Sequence, residues 1–373
     1  MTAVPKLELR SLRKDFGEFT AVDSIDLEIE TGDTVALLGP SGCGKSTTLN
    51  MIVGLEEPTS GDILVDGESV VGVPPQDRNI GLVFQDYAIF THMSVRKNLS
   101  FGLEIRRRPR VEVERAVNEV AELVGLSEVL DESPRVLSSS QLQRVGIGRT
   151  LIMKPSLLLL DEPLSNLETE LRTAMRQQLR QLQTEYGQTL IYVTHDQIEA
   201  ISLANKIAVM SMGTIRQFDS ADRTYSQPAH TFVASFLGSP PMNLIEGELR
   251  RVDQAVFFAN GSAAIGLPQE VLPQGVEEGR KLVLGIRPES LQVAAGEAAM
   301  LEARVTLVEP MGPEKIATLK IGNWELKGLF GAGIRLVEGE FLSLTAQTAQ
   351  ICLFDGDSGV RLNPLGPKVS AWA

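Results

Sequence analysis

The chain has 373 residues, 43% hydrophobic and 22% charged, with a formal net charge of −13. That length exceeds one ordinary core and predicts two domains or one large one. The acidic balance argues against a nucleic-acid binder, which carries a basic footprint. No window approaches the ~18 consecutive apolar residues of a membrane-spanning helix. The opening MTAVPKLELRSLRKDFGE has no apolar stretch of secretory length, so it predicts no export. Cys43 and Cys352 lie far apart, give no metal-ligand spacing and fit a reducing cytosol.

Short apolar runs at 34–38, 80–84, 157–160, 189–193 and 207–210 read as buried strands. Helical patterns alternate with them through about residue 215, which predicts an α/β layered architecture. A helical insertion separates the second and third runs. There Val113, Ala116, Val117, Val120, Ala121 and Val124 form one apolar face. The dense basic run Arg106-Arg107-Arg108-Pro109-Arg110 reads as a solvated helix end. A second amphipathic helix carries Leu171, Met175, Leu179 and Leu182. The text then changes to LGSPPMN, where Gly, Ser and paired prolines punctuate the chain, so the domains are expected at 1–238 and 239–373. Beyond that point, β-like runs at 282–286, 305–308, 316–321 and 341–344 predict a small β-rich domain.

The densest chemistry follows the run 34–38. Gly39-Pro40-Ser41-Gly42-Cys43-Gly44-Lys45-Ser46-Thr47 matches G-x-x-x-x-G-K-[ST] in a strand–loop–helix setting. The glycines let the backbone wrap so that successive N–H groups face phosphate oxygens, and the next helix adds its positive end. Lys45 offers a compact cation to the outer phosphates, and Ser46 a hydroxyl to Mg²⁺. The run 157–160 ends in Asp161-Glu162-Pro163, and two acids closing an apolar strand are costly unless something cationic or reactive sits there. Asp161 is placed to hold Mg²⁺ and Glu162 to orient and polarise an attacking water. His195 ends the run in IYVTHDQ; a strand parallel to the Asp161 strand brings it to the same sheet edge. Gln85 follows the run 80–84, where its amide could reach Mg²⁺ or water.

In order, GPSGCGKST, VFQD, a Leu-Ser…Gln-x-Gln-Arg segment, LLLLDEP, SNLE and VTHD resemble the ATPase subunits of ABC transporters. The resemblance implies a P-loop NTPase with a RecA-like core sheet and a helical subdomain over about residues 86–152. It implies that Phe16 stacks on adenine, that Gln85 is the gating glutamine and that His195 is the switch histidine. It also places Ser138 and Gln141 in the helix-capping segment that touches ATP bound by a second ATPase subunit. The tail phrases PAHTFVASFLGSPPMN, LGIRPESL and VEPMG resemble carbohydrate importers of the maltose and glycerol-3-phosphate type. Those carry a C-terminal β-rich, OB-fold-like domain. The implied partners are two transmembrane permease subunits and, indirectly, a solute-binding protein. The implied location is peripheral, on the cytoplasmic face of a bacterial inner membrane. The alternative is a non-transport or regulatory ATPase of low activity.

Three departures stand out. Leu137-Ser138-Ser139-Ser140-Gln141 replaces the usual Leu-Ser-Gly-Gly-Gln. If either serine position needs φ > 0, a β-carbon there costs roughly 1–2 kcal/mol. Glu168 stands where Asp is usual, and Phe16 replaces a commoner Tyr or Trp. The first two departures fall in elements that serve the other subunit's nucleotide, so they predict a paired but unequal ATPase.

Overall fold

A computed structural model describes residues 4–165, 169–253, 255–261, 263–272, 278–294 and 299–363. They divide into two compact units, Met1–Ala221 and Asp222–Ala373.

The first unit opens with β1 (Leu7–Phe16), β2 (Phe19–Ile29), β3 (Thr34–Leu38) and α1 (Lys45–Val53). Strands β4 (Ser60–Val65), β5 (Glu68–Ser69) and β6 (Ile80–Val83) follow. Three helices come next, α2 (Val95–Ile105), α3 (Arg110–Leu123) and α4 (Ser139–Leu151). The unit closes with β7 (Leu157–Asp161), α5 (Thr169–Tyr186), β8 (Leu190–Thr194), α6 (Gln197–Leu203), β9 (Lys206–Ser211) and β10 (Thr214–Ser220). A six-stranded sheet runs β10-β9-β3-β8-β7-β6, parallel except for β10. Every residue of β3 and β8 is buried, as expected of central parallel strands that read as continuous apolar runs. All five runs expected there are strands of this sheet, with bounds differing by one residue or less at each end.

A second, antiparallel sheet, β2-β1-β4-β5, is not visible in the sequence pattern. Leu7, Leu9 and Leu12 are its buried residues on β1, and the register shifts between Leu9 and Leu12. Ser11 sits there at φ 43°. This bulge breaks the two-residue alternation from which strands are read. Gly61 fits against it because a Cβ would stand 2.4 Å from the Ser11 carbonyl oxygen.

Helices α2, α3 and α4 make up the expected helical insertion. Val113, Val117, Val120, Ala121 and Val124 are buried, while Ala116 is half-buried. The basic run spans the end of α2 and the start of α3, with its arginines exposed and Arg110 paired to Glu114 at 3.1 Å. Met175 and Leu179 of α5 are buried; the side chains of Leu171 and Leu182 lie outside the described residues, as does Glu168.

The second unit begins one residue into α7 (Ala221–Ser226) and contains α8 (Thr231–Phe236), β11 (Asn243–Val252), β12 (Ala255–Asn260), β13 (Ala263–Leu267) and β14 (Lys281–Ile286). Strands β15 (Leu291–Val293), β16 (Leu301–Met311), β17 (Glu314–Ile321), β18 (Trp324–Gly331), β19 (Phe341–Ala346) and β20 (Ile351–Asp355) complete it. They form two five-stranded antiparallel sheets, β13-β12-β11-β14-β20 and β15-β19-β16-β17-β18. One core joins them, with Phe258, Ile265 and Leu284 from the first sheet packed with Val305, Leu319 and Leu344 from the second.

The segment 222–238, expected with the ATPase domain, is instead part of this unit. The reason is Arg287, which is 4% exposed. Its guanidinium donates to the carbonyls of Tyr225, Ala234 and Leu237 and lies 4.1 Å from the Tyr225 ring centre. Ala234 also joins Met242, Cys352 and Phe354 in a small apolar cluster.

Candidate nucleotide site

The loop between β3 and α1 is shaped by glycine. A Cβ on Gly39 would stand 2.4 Å from the Met210 carbonyl oxygen, and one on Gly44 2.6 Å from that of Ala21. Gly44 also has φ 103°, which a side chain rarely adopts. Helix α1 has no side-chain cap and no acid in its first turn, so its N-terminal N–H groups are left to an anion. Pro40, Ser41, Gly42 and Ser46 are exposed, Thr47 is half-buried and Cys43 is buried. Lys45 is 6% exposed, its ammonium donating to the carbonyls of Gly39 at 2.8 Å and Pro40 at 2.9 Å. The cation is therefore held inside the loop, where it can transfer those bonds to phosphate oxygens.

Because β6, β7, β8 and β3 are parallel neighbours, their C-terminal ends meet on one edge. That is where α/β sheets bind ligands. Ser46 Oγ lies 3.5 Å from Asp161 Oδ1. His195 Nδ1 lies 3.2 Å from Glu162 Oε1, and Gln85 Nε2 lies 3.5 Å from Glu162 Oε2. Glu162 has φ 46°, a strained conformation for a residue with a β-carbon, and its N–H bonds to Val193 O of β8 at 3.0 Å. Burial, and then the adjacent Glu162 charge, push the Asp161 carboxyl above its ordinary value, against the Ser46 hydroxyl and Lys45.

Ser165 opens the SNLE segment, which by itself assigns that residue no role. Its hydroxyl donates to Glu162 O at 3.0 Å and lies 3.5 Å from Gln85 Nε2. It bridges two strand-end loops, and no local pattern announces such a bridge.

No group of three or more His, Cys, Asp or Glu residues among those described could hold a metal alone. A serine hydroxyl beside one carboxylate suits a hard cation that takes its remaining oxygens from phosphates and water, as Mg²⁺ does.

Two expected contacts stand apart from this cluster. Phe16 ends β1 and is 46% exposed. Ser138 caps α4: its hydroxyl accepts from Gln141 N at 3.3 Å, while Gln141 Oε1 accepts from Ser138 N at 3.0 Å. This reciprocal capping box satisfies donors at both positions. Neither Ser139 nor Ser140 has positive φ, so the conditional strain does not arise.

Residues 22–165 match the family described as ABC transporter, and residues 238–291 match the MalK OB fold domain. The trehalose/maltose import ATP-binding protein MalK of Thermococcus litoralis is 44% identical over 360 residues, 93% of this chain and 96% of that protein. The chain belongs to the ATP-binding subunits of ABC importers.

A glycerol-3-phosphate relative, the import ATP-binding protein UgpC 2 of Agrobacterium fabrum, is 38% identical over 98% of this chain and 97% of its own length. Among solved structures, cbiO1 from Clostridium perfringens, part of the ABC transporter complex cbiONQ, has TM-score 0.57 and 29% identity. It covers 60% of this chain and 91% of its own. The protein is thus a nucleotide-binding transport ATPase with a C-terminal MalK-type OB domain. ABC import ATPases of this kind work peripherally with membrane permeases and a solute-binding protein. No helix among the described residues is long and apolar enough to cross a membrane.

Proposed function

We propose that this subunit hydrolyses MgATP at the sheet edge described above to energise uptake of a sugar, a polyol such as glycerol, or glycerol-3-phosphate. The observation that carries the reading is the single carboxylate of Glu162 set between His195 and Gln85, beside the phosphate loop's own edge. The residues of the loop, Gly39 to Thr47, hold the triphosphate, and Lys45 neutralises its outer charge. Glu162 orients and polarises the attacking water, while His195 faces the terminal phosphate and that water. Ser46 and Asp161 are the residues that would hold Mg²⁺, with Gln85 reaching the ion or the water. The ion supplies charge neutralisation at phosphate oxygens. Phe16 takes the adenine, and the capping segment at Ser138 and Gln141 meets the nucleotide of a second ATPase subunit.

The complex is proposed to sit on the cytoplasmic face of a bacterial inner membrane with two permease subunits, whose coupling segments engage the region from Gln85 to Leu99. The names of the relatives support the solute class. A transport screen of sugars, polyols and their phosphates with the reconstituted complex tests it. ATP-driven uptake confined to another solute class sinks this assignment.

The second ATPase subunit is proposed to be a different chain with an intact Leu-Ser-Gly-Gly-Gln segment, because Ser139, Ser140 and Glu168 depart from the family pattern in segments expected to serve the other subunit's nucleotide, while the phosphate loop, Asp161, Glu162 and His195 match it. A homodimer is the second reading, favoured by the strain-free start of α4. Reconstitution with this chain alone, then with a candidate partner, separates them. Full uptake by this chain alone, unchanged by Ser139→Gly with Ser140→Gly, ends the heterodimer proposal.

A further inference from the structure

Lys14 and Phe16 lie two residues apart near the end of β1, where its pairing with β2 shifts register between Lys14 and Asp15. The Lys14 ammonium stands 4.8 Å from the centre of the Phe16 ring. Its side chain is only 13% exposed, paired with Glu56 Oε2 at 2.9 Å and donating to Glu57 O at 2.8 Å. Those partners are themselves fixed. The N–H groups of Leu55 and Glu56 both bond to Asn50 O, at 2.9 and 3.2 Å, in the last turn of α1. The ammonium therefore links the aromatic ring to the far end of the helix that begins at the phosphate loop, where the helix dipole favours a cation.

We propose that Lys14 is a positioning residue for the base: it occupies one face of the Phe16 ring, fixes the ring's plane relative to α1 and leaves the opposite face for adenine. This role for Lys14 rests on Phe16 being the adenine-stacking residue. A cation held on one face of an aromatic ring is attracted by the ring's quadrupole and resists its rotation. Stacking on the free face then costs less ordering of the ring when the nucleotide arrives. The phosphate contacts are made elsewhere, by residues 39–47, so Lys14 should act on base affinity and not on phosphate chemistry.

The test is direct titration of the full chain with ATP and with inorganic tripolyphosphate, for Lys14→Met, Lys14→Arg, Phe16→Ala and the Lys14→Met/Phe16→Ala pair. Lys14→Met should weaken ATP by about 2- to 30-fold, leave tripolyphosphate unchanged and be rescued by Lys14→Arg. In the Phe16→Ala background, Lys14→Met should have no further effect, since its target is gone. Glu56→Gln, which loosens the ammonium without deleting it, should give a smaller, equally base-selective loss. In the assembled transporter the change should raise KM and leave kcat. Equal losses for ATP and tripolyphosphate, or the same loss with and without the ring, would overturn the proposal. If Phe16→Ala weakens ATP and Lys14→Met does not, Lys14 has no such role while the Phe16 reading stands. Unchanged ATP affinity in Phe16→Ala removes the Phe16 reading and this one with it.

Discussion

His195 Nδ1 lies 3.2 Å from Glu162 Oε1, although 33 residues separate them in the chain. The two reach each other because β7 and β8 are adjacent parallel strands that end together, and Glu162 N is tied to Val193 O at that end.

Replacing Glu162 with Gln keeps the size and the contacts with Gln85 and His195 but removes the charge that polarises water. Hydrolysis by the assembled transporter should fall by roughly 10²- to 10⁴-fold while nucleotide affinity of the full chain persists. Parental turnover in this variant would remove Glu162 from the mechanism.

Asp161 should show the opposite balance of stability and activity. Its carboxyl is pushed up by burial and by Glu162, so above the folded-state value its ionised form opposes folding. Asp161→Asn should therefore raise Tm at neutral pH while ATP hydrolysis is lost. The Tm gain should shrink as the pH falls through the folded value and close below the unfolded one, where both states are protonated. Thermal melts across pH 3–8 (about the range of carboxylate titration) check this; a Tm that drops at neutral pH contradicts it.

The capping box predicts a division of labour within the altered segment. Ser138→Ala removes the acceptor for Gln141 N and should cost about 0.5–2 kcal/mol in chemical denaturation. Ser139→Gly and Ser140→Gly relieve no backbone strain, so each should leave stability the same or lower it by no more than about 1 kcal/mol. A clear gain in stability from either glycine would mean that the serines strain the helix start.

Arg287 predicts where the chain can be cut. Arg287→Met strips the buried carbonyls of Ala234 and Leu237, and the part-buried one of Tyr225, of their donor and should destabilise the second unit by at least about 2 kcal/mol. Gly238→Ala should also destabilise it, since Gly238 has φ 111° and a Cβ would stand 2.7 Å from Arg287 Nη1. A chain ending at residue 238 keeps Val233, Ala234 and Leu237, all fully buried here, without the core that covers them. A chain ending at residue 221 does not. Limited proteolysis and solubility of the two fragments should favour the shorter one.

Much of the site was legible because its parts are local. A strand, a glycine loop and a lysine within one short stretch specify a phosphate cradle, and acids closing an apolar run advertise their cost. Continuous apolar runs gave the parallel sheet, since strands buried on both faces need no alternation. The bulged sheet at Ser11 and the unit boundary at Ala221 leave no local pattern in the sequence. One depends on a register irregularity and the other on Arg287 reaching back about 50–60 residues.

The sequence by itself determined the chemistry: which residue types cradle phosphate, which acid can polarise water, and to which family of motifs they belong. Tertiary structure decided the relations: that His195 and Gln85 share Glu162, that Ser165 bridges their loops, that Ser139 and Ser140 sit unstrained in a capped helix, and that Lys14 stands over Phe16. The physical reason is range. Loop conformation and strand burial are fixed by neighbours in sequence, whereas these contacts exist only after strand pairing and helix packing bring distant side chains within a few ångströms.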